Sequence, residues 1–266
     1  MQCVYKSLLC RLIFLVPLAV TLTVTAAAAD PISLRIEVFG LAGLRILTLK
    51  SSIDERPDRY AITTEYATSG IAGWFVELTS RSHVEGRLGA DPVPELFRKD
   101  DRRNGVERQN KVNYLPGGGV EGISTPAASN PVTAREAAGT VDNLTAYFRL
   151  ERQLAKTGSC ALTVPVFDGR HRYDLIFRDA GKTELSPSGG QRFQGPAIAC
   201  QMERRILGMP DAERDEGARG GTIWYARLLS GTFMVPVRMQ METQLGVVDG
   251  YLAELRGGGV DLHLME

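Results

Sequence analysis

Histidine and cysteine are scarce in this chain, which limits the chemistry that it can support. The sequence has three histidines, His83, His171 and His263, and four cysteines. A metal site needs several His, Cys, Asp or Glu ligands at defined spacings, and these histidines are isolated and far apart. The sequence therefore predicts no metal site and no cofactor.

Catalytic motifs are also missing. There is no G-x-S-x-G segment of the serine hydrolases, and no P-loop or G-x-G-x-x-G follows a strand. Asp168 and Asp174 lie near His171 in sequence, but Asp168 is expected in a turn and Asp174 on the face opposite His171. We therefore expect no catalytic residues and no enzyme activity. A hydrolase with an unrecognised site remains as an alternative.

The chain has no excess of charge of either sign. It carries 31 basic and 31 acidic residues. Basic pairs such as Arg102-Arg103 and Arg204-Arg205 are typical of solvated positions and do not form a phosphate-binding stripe. The balance predicts that the protein binds neither nucleic acid nor an anionic membrane surface.

Long apolar runs are absent after the N-terminus. Lys6 and Arg11 precede an apolar segment from Leu12 to Val24, and alanines 26 to 29 offer A-x-A cleavage sites. The segment is shorter than the roughly twenty residues that span a bilayer, so an uncleaved anchor is the weaker alternative. We predict a signal peptide over residues 1–29, cleaved near residue 28 or 29, and no stable membrane span after its removal.

Two cysteines remain in the mature chain, Cys160 and Cys200. An even pair in an exported protein is most simply a disulfide, which would close a loop of about forty residues and stabilise the fold by about 4 kcal/mol. A redox-active cysteine is the alternative. It is disfavoured because neither residue has a Cys-x-x-Cys spacing or an adjacent histidine or lysine.

Most of the mature chain alternates apolar and polar residues, the pattern of half-buried strands. The clearest example runs from Phe233 to Met241, where Pro236 requires an edge position or a bulge. A hairpin is predicted around Asp168-Gly169 as a two-residue turn, which places Cys160, Val164 and Val166 on one apolar face with His171 and Tyr173.

A single helix is predicted over residues 142–157. Leu144, Tyr147, Phe148 and Leu154 recur at helical spacing, Thr140 or Asp142 can cap its start, and Gly158 can end it. Mobile loops are predicted near residues 116–139 and 208–221 from their glycine, proline and charged residues. The predicted fold is mainly β: a single domain over residues 30–266, with a curved antiparallel sheet or half-barrel packed on one α-helix.

Several segments together resemble a known family. They are the stretch from Val141 to Arg149, VPVFDGRHRYDLIF from Val164, GPAIAC ending at Cys200, and the segment from Trp224 to Leu255. In these the chain is similar to the bacterial family called domain of unknown function 3108. The resemblance implies an exported protein of proteobacterial type, located in the periplasm, and it brings no catalytic residues. At the level of the fold the chain also resembles the lipoprotein carriers of the Gram-negative periplasm.

The function that these patterns favour is binding or scaffolding in the cell envelope. An apolar groove between sheet and helix would hold a lipid or an apolar peptide. A structural protein that binds an envelope protein and no small ligand is the alternative, and in it the same residues would only pack the core. The residues predicted to line the groove are Trp74, Phe75, Tyr147, Phe148, Trp224, Met239 and Met241.

Overall fold

The computed structural model describes residues 30–40, 43–70, 73, 77–207, 218–231, 233–243 and 246–265. Within these residues fourteen strands form one antiparallel sheet, in the order β7-β6-β5-β4-β3-β2-β1-β13-β12-β11-β10-β9-β8, with β14 paired to β13. The strands are β1 (Ile32–Phe39), β2 (Arg45–Glu55), β3 (Arg59–Thr68), β4 (Leu78–Arg87), β5 (Val93–Arg103), β6 (Val106–Tyr114), β7 (Val120–Thr125), β8 (Leu162–Phe167), β9 (Arg172–Leu185), β10 (Gly195–Leu207), β11 (Gly220–Ala226), β12 (Val235–Thr243), β13 (Gly246–Gly257) and β14 (Val260–His263). The prediction of a mainly β, antiparallel fold is confirmed.

The main helix packs against the inner face of the sheet. The helices of the described residues are α1 (Ala134–Ala137) and α2 (Asn143–Thr157). The Asp142 carboxylate accepts a hydrogen bond from the Thr145 backbone N–H at 2.9 Å, and Gly158 ends the helix in the left-handed conformation. The predicted helix and both of its caps are confirmed. None of the described helices combines the length and the apolar character needed to cross a bilayer.

The inner face carries two groups of buried apolar residues. One group joins the strands of the N-terminal half to Phe148 of α2 and includes Ile62, Phe97 and Leu252. The other lies beneath α2 and joins Leu150 and Leu154 to Tyr225 and the two cysteines. Helix α2 therefore contacts both groups, and its apolar side chains are buried against the inner face of the sheet.

The sheet is not closed, but its two ends meet. The edge strands β7 and β8 do not pair with each other. The Tyr114 hydroxyl at the end of β6 donates to the Phe167 carbonyl of β8 at 3.2 Å. Val141, just before α2, forms a parallel bridge to Val166 on the free edge of β8. The result is a barrel-like wall whose seam is held by loops and side chains.

The predicted two-residue turn at Asp168-Gly169 is wrong. Phe167 pairs with Arg172, so residues 168–171 form a four-residue loop and His171 is not on the strand. The cause is the Asp168 carboxylate, which accepts hydrogen bonds from the backbone N–H groups of Arg170 at 2.9 Å and His171 at 2.7 Å. The observed pairing of β8 with β9 differs from the predicted pairing by two residues. A shift of two residues leaves each side chain on the same face, so Val166 and Tyr173 both point inward as predicted.

The structure also bears on the predictions for Pro236 and for the two mobile loops. Pro236 lies in a central strand, and the register between β11 and β12 shifts beside it, so the bulge that it requires is present. Residues 116–139 contain strand β7 and helix α1, which their composition did not reveal. Of the second predicted loop, residues 208–217 lie outside the described part of the chain, and β11 begins at Gly220.

Candidate functional site

The inner face of strands β2 to β6 changes from apolar to polar in successive layers. The cross-strand register aligns Ile53, Ile62, Val84, Phe97 and Val112 in one buried layer. Two residues further along the strands, the same register aligns Ser51, Thr64, Ser82, Lys99 and Asn110. The inward face is thus hydrophilic at a level where a sealed core would be apolar.

Lys99 and Asn110 of this polar layer border a cavity of about 800 Å³, which we call the polar chamber. Strands β5 and β6 contribute one wall, α2 another, and β9, β10 and the loop of residues 168–171 the rest. The described residues that line it are Tyr66, Leu78, Lys99, Asp101, Arg103, Asn104, Val106, Arg108, Asn110, Asn143, Tyr147, Asp168, Arg170, His171, Tyr173, Leu175, Met202, Arg204 and Ala218. The volume is within the usual range for small-molecule sites.

Lys99 supplies a fixed positive charge in the polar chamber. Its ammonium lies 2.7 Å from a carboxylate oxygen of Asp101. Burial lowers the pKa of Lys99, but the charges of Tyr66, Asp101 and Asp168 outweigh burial and leave the pKa above its ordinary value. Lys99 is therefore protonated at neutral pH and is not poised to act as a nucleophile.

Asp168 supplies a fixed negative charge. Its second carboxylate oxygen lies 3.6 Å from Nδ1 of His171. Burial alone would raise the pKa of Asp168, but the hydrogen bonds and charge of His171 and the charge of Lys99 hold it below the ordinary range. The carboxylate therefore stays ionised and keeps the loop of residues 168–171 in place.

Two amide oxygens of the polar chamber have no hydrogen-bond partner among the described residues. They are Oδ1 of Asn110 on β6 and Oδ1 of Asn143, the first residue of α2. Asn110 is only 8% exposed. A buried acceptor without a partner costs about 1–3 kcal/mol, so these oxygens require an explanation.

Tyrosine rings form the less polar part of the wall. The Tyr147 ring of α2 packs edge-on against Phe177, with 5.6 Å between centroids. The guanidinium of Arg204 lies 4.0 Å from the centroid of Tyr173. Burial raises the pKa of Tyr147 to about 12, so its hydroxyl remains a hydrogen-bond donor.

The structure contains the predicted disulfide. Cys160 and Cys200 are both fully buried, with Cα atoms 5.6 Å apart. The bond links the segment after α2 to strand β10, beneath the helix. It lies within the second buried group, which also contains Met202 of the polar chamber wall.

The residues predicted to line an apolar groove are distributed over several places. Tyr147 borders the polar chamber. Phe148 is buried in the core against Tyr60 and Phe233. Met239 and Met241 are partly buried and pack against the group beneath α2.

Trp224 lies elsewhere, 5.3 Å from the guanidinium of Arg238, with which it pairs across β11 and β12 on the face turned away from α2. Trp74 and Phe75 lie outside the described residues. The structure therefore brings Tyr147, Met239 and Met241 to the buried group beneath α2. Phe148 belongs to the first buried group, against which Trp224 and also Met239 pack.

Sequence reasoning missed the residues that the structure brings together as a site. Lys99, Asp101 and Asn110 lie in segments whose many charged residues predict exposure to solvent. One signal was available: Phe97, Lys99 and Asp101 alternate along VPELFRKDDRR, and Asn104-Gly105 follows as a hairpin turn. No group of three or more potential metal ligands occurs within the described residues.

The fold and the polar chamber define an open, barrel-like β protein with an internal polar cavity. The chain belongs to the family described as "Protein of unknown function (DUF3108)", which it matches over residues 33–253. It is also similar to a crystal structure described as a β-barrel-like protein of the domain of unknown function DUF1849 from Brucella abortus. The sequence identity is 11% and the TM-score 0.51, over 88% of this chain and 99% of the other.

A second similar structure is a candidate lipoprotein from Parabacteroides distasonis. It shares 11% identity over 86% of this chain and 96% of its own, with a TM-score of 0.30, which is too low to inform the fold. No curated protein matches this sequence. The similarity to the DUF1849 structure therefore supports the barrel-like fold, and the function has to be argued from the polar chamber.

Proposed function

We propose that this protein is an exported, non-catalytic binding protein of the cell envelope that holds its ligand in the polar chamber. The observation that carries the proposal is the polar layer of the inner face, which includes Ser82, Lys99 and Asn110. Polar side chains on an inward face stabilise the fold less than apolar side chains would, because they remove less apolar surface from water. A ligand with matching polar groups accounts for them.

The wall of the polar chamber suits a ligand that also has an apolar part. Leu175 and Met202 border the cavity beside Tyr147. Met239 and Met241 pack against the same buried group, so apolar surface continues from the chamber beneath α2. Flexible thioether side chains adapt to acyl chains or apolar peptide side chains. A lipid or an apolar segment of an envelope protein fits this arrangement.

The fixed charges of Lys99 and Asp168 suit these two side chains to positioning a ligand. General acid–base catalysis at neutral pH uses groups with pKa values near 7. Here the pKa of Lys99 is above its ordinary value and that of Asp168 is below its own. Both side chains keep a fixed charge, which suits them to positioning a ligand. Export to the periplasm is supported by the leader sequence of residues 1–29.

Native mass spectrometry of the protein purified from its own cell envelope tests this proposal. We expect a bound species that leaves on denaturation, together with saturable uptake of the fluorescent probe dansylaminoundecanoic acid. Asn143→Trp would fill the polar chamber and should abolish both signals. Lys111→Trp is the control, because Lys111 is exposed on the other face of β6.

Circular dichroism would establish that both variants are folded. A wild-type protein that carries no ligand, takes up no probe and co-purifies with one fixed envelope protein would contradict the proposal. That result would favour the alternative of a structural or interaction protein. Turnover that disappears on changing a polar residue of the chamber, in a variant that stays folded, would instead indicate an enzyme.

A further inference from the structure

We infer that the ligand of the polar chamber is an amphiphile with an anionic head group, a carboxylate or a phosphate. This inference rests on the proposed function and specifies its ligand class. The head belongs either to a free fatty acid or to an anionic phospholipid, since arginine side chains recognise both in the same way. Three features of the chamber support this assignment: the sign of its charges, the placement of its arginines and the apolar wall beside them.

The first feature is an excess of positive charge. Among the described residues that line the chamber, two are acidic, Asp101 and Asp168, and five are basic: Lys99, Arg103, Arg108, Arg170 and Arg204. With the histidine counted as neutral, the lining has an excess of three positive charges. The whole chain carries 31 basic and 31 acidic residues, so this excess is a local property of the cavity. A cleft lined mainly by charges of one sign concentrates ligands of the opposite sign.

The two carboxylates of the chamber are held by other partners. One Asp101 oxygen lies 2.7 Å from the Lys99 ammonium, and the other accepts a hydrogen bond from the Ser80 hydroxyl. Asp168 accepts hydrogen bonds from backbone N–H groups of its own loop and faces His171. The charge of Lys99 is therefore balanced within the wall, and the arginines supply the excess.

The second feature is the placement of the arginines on different walls. Arg103 and Arg108 lie on either side of the Asn104-Gly105 turn between β5 and β6, and Arg204 lies on β10. The chamber reaches the surface at this turn, where Val106 is 55% exposed and Arg108 is exposed as well. An anionic head that enters here meets guanidinium groups from both walls.

Neutral contacts orient two of these arginines. The Arg204 guanidinium lies 4.0 Å from the ring centroid of Tyr173. The Arg170 guanidinium donates hydrogen bonds to the Ser124 hydroxyl and the Pro126 carbonyl, both at 3.1 Å. None of these three partners carries a charge, so the contacts hold the guanidinium groups in place without neutralising them. The planar fork of a guanidinium matches the geometry of a carboxylate or a phosphate.

The third feature is the apolar wall. Leu175 and Met202 are buried side chains that line the cavity beside Tyr147. A small inorganic anion would leave this surface without contacts. An acyl chain attached to the anionic head covers it, and burial of apolar surface stabilises the complex. The chamber therefore fits an amphiphile better than a free anion.

The chain offers a matched control for two of the arginines. In each of the pairs Arg102-Arg103 and Arg204-Arg205, one arginine lines the chamber and its neighbour lies on the other face of the strand. The outer members, Arg102 and Arg205, have side chains that are 53% and 56% exposed. The sequence pattern is typical of solvated pairs, whereas the structure places one member of each pair in the cavity.

Isothermal titration calorimetry with laurate, dodecyl phosphate and monolaurin tests the inference. The three probes have acyl or alkyl chains of equal length and are used below their micellar concentrations. Laurate represents a free fatty acid, dodecyl phosphate represents a phospholipid head, and monolaurin is neutral. We expect at least one anionic probe to bind about tenfold or more tighter than monolaurin, because its head forms charge-assisted hydrogen bonds. Raising NaCl from about 0.05 M to about 0.5 M should weaken only the anionic probe.

Substitution of the lining arginines provides the second measurement. Arg103→Gln and Arg204→Gln should each weaken the anionic probe by about tenfold and leave monolaurin unchanged. Arg102→Gln and Arg205→Gln are the controls and should keep wild-type affinities. Arg108→Gln changes an exposed lining residue and should also weaken the anionic probe while the protein stays folded. Circular dichroism would establish that all five variants are folded.

The outcomes separate the inference from the proposed function. Monolaurin binding that is as tight as that of both anionic probes would overturn the inference and leave the proposed function standing. A co-purified ligand without an anionic group would have the same meaning. Equal weakening of all three probes by the lining variants, or no weakening at all, would also overturn the inference.

Failure of the proposed function gives a different result. Binding of none of the three probes, no uptake of dansylaminoundecanoic acid and no co-purified ligand would overturn both. Tight binding of laurate alone supports the inference and identifies a free fatty acid as the source of the head group. Tight binding of dodecyl phosphate alone supports it and identifies a phospholipid.

Discussion

Lys99 illustrates why the inner face cannot be understood from stability alone. A lysine among buried strands must be paired, and the protein supplies Asp101 at 2.7 Å and the nearby charge of Asp168. Replacing such buried ionic groups with apolar residues of similar volume is often neutral or stabilising. Stability alone therefore does not account for these charged side chains, which is consistent with the proposed binding site.

Single residues were predictable where their role is local. Asp142 and Gly158 were identified as helix caps, because capping depends on the few residues around it. The role of His171 was predicted wrongly, because one buried carboxylate, Asp168, widened the turn beside it. The orphaned oxygen of Asn110 could not be predicted, since it depends on a loop that is about sixty residues away in sequence.

Glu151 on α2 should make the stability of the protein depend on pH. Burial raises its pKa to about 8, against 4.5 for an ordinary glutamate. The folded state therefore holds a proton that the unfolded state has lost, so stability should fall as pH rises from about 4 to 8. One pKa unit corresponds to about 1.4 kcal/mol, and because Glu151 is partly exposed we expect Glu151→Gln to stabilise the protein by about 2 kcal/mol at pH 8.

Urea unfolding at a series of pH values measures this effect. The variant should unfold like the wild type at pH 4, and its advantage should grow progressively as the pH rises from about 5 to 8. Glu184→Gln, at an exposed position of β9, is the control and should keep the wild-type profile. Parallel profiles for Glu151→Gln and the wild type would show that burial does not raise this pKa. Part of the slope below pH 6 should remain in the variant, because burial also raises the pKa of Asp142 to about 6.

Secondary-structure elements were predictable where one face is apolar. Helix α2 and strands such as β1, β3 and β12 carry clear periodic patterns, and the structure contains them. Strand β5 was missed because its inner face changes from Phe97 to Lys99 and Asp101 along its length. Strand β7 was missed because it is a short edge strand with mostly exposed residues. The strands that were not predicted therefore include β5, which lines the polar chamber, and β7, which lies at the seam of the sheet.

The disulfide should matter most for the connection between α2 and β10. It joins residues separated by 40 positions, and closing a loop of that length restricts the unfolded chain. We expect the double variant Cys160→Ser, Cys200→Ser to lose about 4 kcal/mol of unfolding free energy at pH 7, measured by urea denaturation. Adding a reductant should lower the stability of the wild type and leave the variant unchanged. Equal stability of the two proteins without reductant would contradict this role.

At the scale of the whole molecule, the open sheet explains how a cavity survives inside one domain. Strands β7 and β8 leave the barrel unclosed, and the seam between them is filled by the loop of residues 168–171 and the segment before α2. The same loop provides Asp168 and His171 to the polar chamber. Closure of the wall and shaping of the cavity therefore depend on the same few contacts. Curvature of this kind arises from pairings between distant segments and was predicted only as a general half-barrel.

Gly122 on β7 tests how the seam holds the molecule together. A Cβ at this position would lie 2.6 Å from the ring of Phe167 on β8, a distance that real contacts do not reach, and Phe167 is itself buried. Gly122→Ala should therefore push the two edges apart and reduce stability by about 1–3 kcal/mol. Gly119→Ala is the control, because its Cβ would meet Leu115 at an ordinary 3.6 Å.

Hydrogen exchange should accelerate in β7 and residues 168–171 of the Gly122 variant while β12 and β13 stay protected. Uniform acceleration over all strands would show instead that the seam and the rest of the sheet unfold as one unit.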